Sequence, residues 1–162
     1  MVYLIVAMFM CSVSVYASVC NTSEKSSTLQ KWQEDWENYE WGEDPQVNQY
    51  YVVETNGAFK DMLRTCDIVG LEQMLHILGK EKLTQLQEAE GSYLDIVLQE
   101  DINTLAVKFL LDNEIIFFED LNPIDYKHLA TQKLQEAKAK GDFRAVENYE
   151  KIIKLLQEYE AK

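Results

Sequence analysis

The side chains best suited to nucleophilic, acid–base or metal chemistry in this chain are two histidines and three cysteines. His128 follows Asp125 by three residues, a spacing that sets both on one helix face, where a carboxylate can orient an imidazole. Neither a nucleophile nor a metal-ligand spacing accompanies that pair, so it reads as structural. His76 falls inside a helical apolar pattern, and no Gly-rich phosphate loop, C-x-x-C or H-E-x-x-H occurs. Carboxylates number 28, so pairing any two as acid and base carries no information. The expectation is a protein that binds without turning over a substrate. No catalytic residue, metal ligand or cofactor is assigned.

Those 28 acidic side chains stand against 15 basic ones, a formal net charge of −13. Such a field repels nucleic-acid phosphates and anionic lipid surfaces, and its natural complement is a basic protein. The same acidity also serves as a plain solubility device for a small exported protein. With 162 residues and 47% apolar content, the chain is long enough for one domain with its own core.

The opening MVYLIVAMFMCSVSVYASVC has no charged side chain before Glu24 and ends in the small-x-small pattern Val15-Tyr16-Ala17. This predicts a signal peptide over residues 1–17, a flexible linker over 18–26 and a single domain over 27–162. The n-region lacks its usual Lys or Arg, and about 18 apolar or small residues could instead be retained as a membrane anchor. Nothing after residue 20 is apolar enough to span a bilayer, so cleavage predicts a secreted or periplasmic, monomeric protein. Cys11 lies in the signal, leaving Cys20 and Cys66 for an oxidising compartment, where they could bridge. Cys66 also falls on the apolar stripe Phe59, Met62, Leu63, Val69, which favours a buried thiol acting as a small hydrophobe. Asn21-Thr22-Ser23 fits the N-glycosylation acceptor pattern of a eukaryotic protein.

These residues need elements to hold them. Ser27-Thr28-Leu29-Gln30 has the form of a capping box, and Gly42 followed by Pro45 ends the helix it would start. Leu29, Trp32, Trp36 and Tyr39 share one face of that helix, whereas Trp41 sits about 140° from Trp36 and is assigned to partner contact. Asp44-Pro45 resembles an N-cap with proline at the first helical position and predicts a short helix, although VNQYYVV favours strand. Ser92-Tyr93-Leu94-Asp95 and Asn122-Pro123-Ile124-Asp125, thirty residues apart, each predict a helix start capped by Ser92 or Asn122. Upstream, Gly70 is placed at a turn before a helix over Leu71 to Leu78. The last unit predicts a helix to Lys140, a turn at Gly141-Asp142 and a second helix carrying Phe143, Val146, Tyr149, Ile153 and Leu156. The fold class is all-α: stacked helix-turn-helix units with an N-terminal capping helix and a long C-terminal helical hairpin.

With its period near 30 to 33, the chain resembles the ankyrin-repeat family over about residues 57–160. Ser92 to Asp95 stands where that family has TPLH, Val107-Lys108-Phe109-Leu110-Leu111 at its second-helix signature, and Ile115 to Phe118 at the inter-unit hairpin. That run is expected beneath the last helix pair. The resemblance implies recognition through the hairpin tips and the inner face of the first helices, at Tyr93, Gln99, Glu100 and Lys127. The expected function is an exported acidic interaction module, an inhibitor or immunity protein for a basic partner. The alternative is a secreted effector or glycan-binding protein using Trp41, Tyr50 and Tyr51 as stacking platforms.

Overall fold

The computed structural model describes residues 20–36, 39, 42, 44–99, 103–116 and 125–161. Among them the chain is all-helical: α1 Ser27–Trp36, α2 Pro45–Thr65, α3 Ile68–Leu78, α4 Lys80–Glu90, α5 Tyr93–Gln99, α6 Thr104–Asp112, α7 Tyr126–Lys140 and α8 Phe143–Glu160. The expected signal peptide, and with it Cys11, lies outside the described residues, as do Trp41, Glu100, Phe117, Phe118 and Asn122.

The helices pair in sequence, α2 with α3, α5 with α6 and α7 with α8, and the pairs stack in two layers. One layer runs α2, α5, α7; the other runs α3, α6, α8; and α1 closes the first pair by touching both α2 and α3. The arrangement is repeat-like, in that successive pairs pack against one another in chain order. One contiguous core runs the length of the stack, from Leu29 and Phe59 through Leu94 and Leu110 to Ile152 and Leu156. Helix α4 interrupts the pairing. Its sequence KEKLTQLQEAE lacks a strong apolar stripe, but Leu83 and Leu86 are enough to hold it on α2 and α3.

Several boundaries differ from the sequence expectation, each for a local reason. The cap of α1 is Ser26 rather than Ser27: Ser26 is buried, and its Oγ accepts from the Leu29 N–H at 3.0 Å. Asp44 and Pro45 do start a helix, but α2 continues for 21 residues to Thr65, because Tyr51, Thr55, Asn56, Phe59, Met62 and Leu63 are buried in succession along it. Packing outweighs the strand preference of VNQYYVV. The turn after α2 is made by Cys66 in the left-handed region (φ 54°), with the Asp67 N–H returning to the Met62 carbonyl at 2.8 Å. Gly70 therefore lies inside α3, and its role is close approach: a Cβ there would meet Met62 Sδ at 2.4 Å and Ser26 Oγ at 2.5 Å.

The expected cap Ser92 leaves its hydroxyl to another task. Its carbonyl accepts the Ile96 N–H, while its Oγ accepts from the buried Tyr126 phenol at 2.8 Å, joining the start of α5 to the start of α7. The cap of α7 is Asp125, which accepts the His128 backbone N–H at 2.8 Å, so this pair does not orient an imidazole. Gly141 (φ 70°) and Asp142 make the turn into α8 as expected. The buried stripe of α8 is Ala145, Tyr149, Ile152 and Leu156, with Val146 and Ile153 partly buried beside it; Phe143 points away and is 87% exposed. Ile115 and Ile116 are buried in the core.

Residues 20–26, expected as a linker, are bonded to the helical body. Cys20 and Cys66 form a disulfide, not the buried thiol that the apolar stripe suggested. Next to it Asn21 donates from Nδ2 to Asp67 Oδ1 (2.8 Å) and to the Glu24 carbonyl (3.0 Å), while the Asn21 and Asp67 backbones form a parallel bridge. The amide nitrogen of the glycosylation-like triplet is thus engaged within the fold.

Candidate functional site

The residues expected to bind a partner separate in the structure. Tyr93 is fully buried and packs against Phe59 with ring centroids 4.6 Å apart; its backbone N–H donates to Gln87 Oε1 at 2.8 Å. A ring at the start of a short helix between two stacked pairs is a core residue, so Tyr93 offers nothing to a partner. Gln99 is exposed and donates to Asp95 one turn earlier, and Lys127 pairs with Glu160 at 3.0 Å across the α7–α8 hairpin.

The tryptophan helix builds the more distinctive feature. Trp32 is buried and donates from Nε1 to Thr55 Oγ1 at 3.0 Å, fixing α1 on α2. Trp36, half-buried, meets Tyr39 (5.0 Å, 86°) and Tyr51 (4.9 Å, 81°) edge-on, and Tyr39 and Tyr51 stack at 4.1 Å with planes 7° apart. The edge-to-face contacts of Trp36 are a favourable geometry for aromatic pairs. Burial raises the pKa of both tyrosines above the ordinary phenol range. The stack also buries Tyr51, which cannot then act as a platform; Tyr50 remains 60% exposed beside Trp36.

On the outer side of the same two helices lies a groove of about 170 Å³, lined by Thr28, Lys31, Trp32, Asp35 and Trp36 from α1 and by Glu54, Gly57, Ala58 and Asp61 from α2. Three of its nine lining residues are carboxylates and one is an ammonium. Asp61 pairs with Arg64 at 3.5 Å, whereas Asp35 and Glu54 have no ion-pair or hydrogen-bond partner among the described residues. Val47, Tyr50 and Val53 continue the exposed surface of α2 towards its N-terminus.

The negative charge lies in the larger part of the chain that includes this end and is not confined to it. Residues 125–162 carry seven acidic and eight basic side chains, so the whole negative balance lies upstream, where 21 acidic side chains face seven basic ones. This asymmetry between two parts of the chain was legible without a structure. The groove was not, because it needs α1 and α2 side by side.

No family model, no curated protein and no solved structure matches the chain. Among the described residues, no cluster of His, Cys, Asp and Glu could hold a metal ion, and no helix is long and apolar enough to cross a membrane.

Proposed function

We propose that this protein is an exported, monomeric interaction module that captures a basic protein through its acidic N-terminal part and so blocks or positions that partner, with no substrate turned over. The observation that carries this reading is the net negative charge upstream of residue 125, together with a groove whose Asp35 and Glu54 carboxylates are unpaired among the described residues. Carboxylates that fold stability does not need for pairing are available to an incoming cation. Export into an oxidising compartment is supported by the Cys20–Cys66 disulfide and by the uncharged opening of the sequence. The helical pairs are read as degenerate ankyrin-like units, a proposal supported by first helices packing on first helices and second on second. In that reading α1 is the N-terminal cap and α7–α8 the C-terminal one.

Co-purification from the native compartment, followed by binding kinetics at two ionic strengths, tests the function. The association rate should fall as salt rises, while the dissociation rate changes less, because steering by a net charge of −13 acts over distances that salt screens. Recovery of no protein partner, together with salt-insensitive binding to a polysaccharide, would overturn it in favour of glycan binding.

A further inference from the structure

The groove between α1 and α2 has a floor that the fold does not explain. Gly57 lies in the interior of the 21-residue helix α2, where glycine costs about 1 kcal/mol relative to alanine. Two physical reasons usually justify such a residue, and neither holds here. Gly57 is helical, so no left-handed backbone demands it, and a Cβ built on it would meet no atom within 4 Å. Gly70 in α3 is the internal contrast, since a Cβ there would strike three atoms within 3 Å. The consequence of Gly57 is open space: beside Ala58, it leaves the groove unfilled between Trp32 and Trp36 on one helix and Glu54 and Asp61 on the other.

The size and lining of that space limit its occupant. A volume of about 170 Å³ is below the roughly 300 to 1,000 Å³ of small-molecule sites, so a single side chain is the fitting scale. Trp32 is buried, so the half-buried Trp36 indole is the ring available beside Asp35 and Glu54. This pairing favours a cation, and a planar guanidinium meets both, stacking on the ring and forking its N–H groups onto the carboxylates. An ammonium satisfies the carboxylates but stacks less well. Lys31 is one cation against the carboxylates Asp35 and Glu54, Asp61 being paired with Arg64.

We propose that the α1–α2 groove, floored by Gly57 and walled by Trp32, Trp36, Asp35 and Glu54, seats one arginine side chain of the basic partner. The proposal rests on the basic-partner reading above, and Gly57→Leu separates the two because it fills the groove without changing any charge. The measurement is fluorescence anisotropy of a labelled hexa-arginine peptide titrated with the full chain at low ionic strength, for the native protein, Gly57→Ala and Gly57→Leu. Thermal melts should show both variants folded and at least as stable as the parent, since each removes a helix-interior glycine from open space. Gly57→Leu should weaken hexa-arginine binding about tenfold or more, Gly57→Ala less, and hexa-lysine should bind the native protein more weakly than hexa-arginine. Equal affinity of the native chain and Gly57→Leu would overturn the groove and leave the basic-partner reading standing on diffuse charge. Failure of the native chain to bind either peptide would overturn both.

Discussion

The two ends of the helical stack solve the same problem in opposite ways. The terminal pair α7–α8 is closed: alanines at 130, 137 and 145 let the helices approach, and Lys127–Glu160 and Lys138–Glu150 tie them across the hairpin. Further pairs run along each helix, such as Lys133–Glu136 on α7 and Lys151–Glu147 on α8. At the other end, α1 is held on α2 by bulky aromatics and a Trp–Thr hydrogen bond, the outer surface stays open over Gly57, and among the described residues two of its carboxylates have no partner. Charges paired within the fold contribute little to recognition, and the open end keeps the Asp35 and Glu54 carboxylates of its groove unpaired among the described residues. The comparison fits the proposed reading, in which the C-terminal pair caps the stack and the N-terminal one makes contact.

The largest effect should come from the core that both ends share. Phe59→Ala removes a fully buried ring packed on Tyr93 and should cost about 3 to 5 kcal/mol, whereas Phe143→Ala, at a residue 87% exposed on the closed end, should stay within about 0.5 kcal/mol. Urea midpoints for the two variants measure this directly. A Phe143 variant as damaged as the Phe59 one would mean that the C-terminal pair is organised differently from the description above.

Next in size is the disulfide, which belongs only to the N-terminal end. It joins residues 46 apart, and Cys20→Ser should lower stability by about 2 to 4 kcal/mol. A reductant should shift the melting temperature of the parent by a similar amount and leave the variant unmoved. A reductant that shifted both equally would locate the sensitivity elsewhere.

The two helix glycines sharpen the contrast because their signs should differ. Gly70→Ala forces a Cβ onto Met62, Ser26 and Asp67 and should destabilise by about 1 to 3 kcal/mol, while Gly57→Ala should stabilise by up to about 1 kcal/mol. Like-signed shifts in the denaturant midpoint would remove the argument that Gly57 is unexplained by folding.

These cases also show what a sequence can carry. The apolar stripe Leu29, Trp32, Trp36, the helix around Val107 to Leu111 and the Gly141-Asp142 turn were legible, because each depends on neighbours within one or two helical turns; Tyr39, expected on the same helix, lies beyond the end of α1 at Trp36. Gly70 was misplaced because a glycine at a turn and a glycine at a helix crossing look alike until Met62 and Ser26 come into contact with it. Tyr93 was assigned to a surface since its burial depends on Phe59, 34 residues upstream. Cys66 satisfied an apolar pattern and formed a disulfide as well, and no local pattern separates the two. The groove required two helices from different parts of the chain. Helix α4 was missed because its tertiary contacts, more than its own periodicity, hold it in place.

The smallest effect at neutral pH tests how the closed end is joined to the rest of the stack. Tyr149 on α8 donates its phenol proton to the Leu98 carbonyl of α5 at 2.8 Å, and burial, aided by Glu136 and Asp142, pushes its pKa up from 10.0 to about 12. Because the folded value is above the unfolded one, the unfolded chain loses this proton first as pH rises. The contribution of Tyr149 is therefore complete below about pH 10 and declines as pH rises towards 12. Tyr149→Phe gives up the hydrogen bond, which should cost about 0.5 to 1.5 kcal/mol at pH 8. Tyr39 and Tyr51, whose pKa values are also raised, are common to both proteins, so the difference between parent and variant isolates Tyr149. Urea midpoints measured from pH 8 to 11.5 should show that difference shrinking with pH. A constant difference would mean that the Tyr149 phenol is open to solvent, and that the closed end docks on α5 without it.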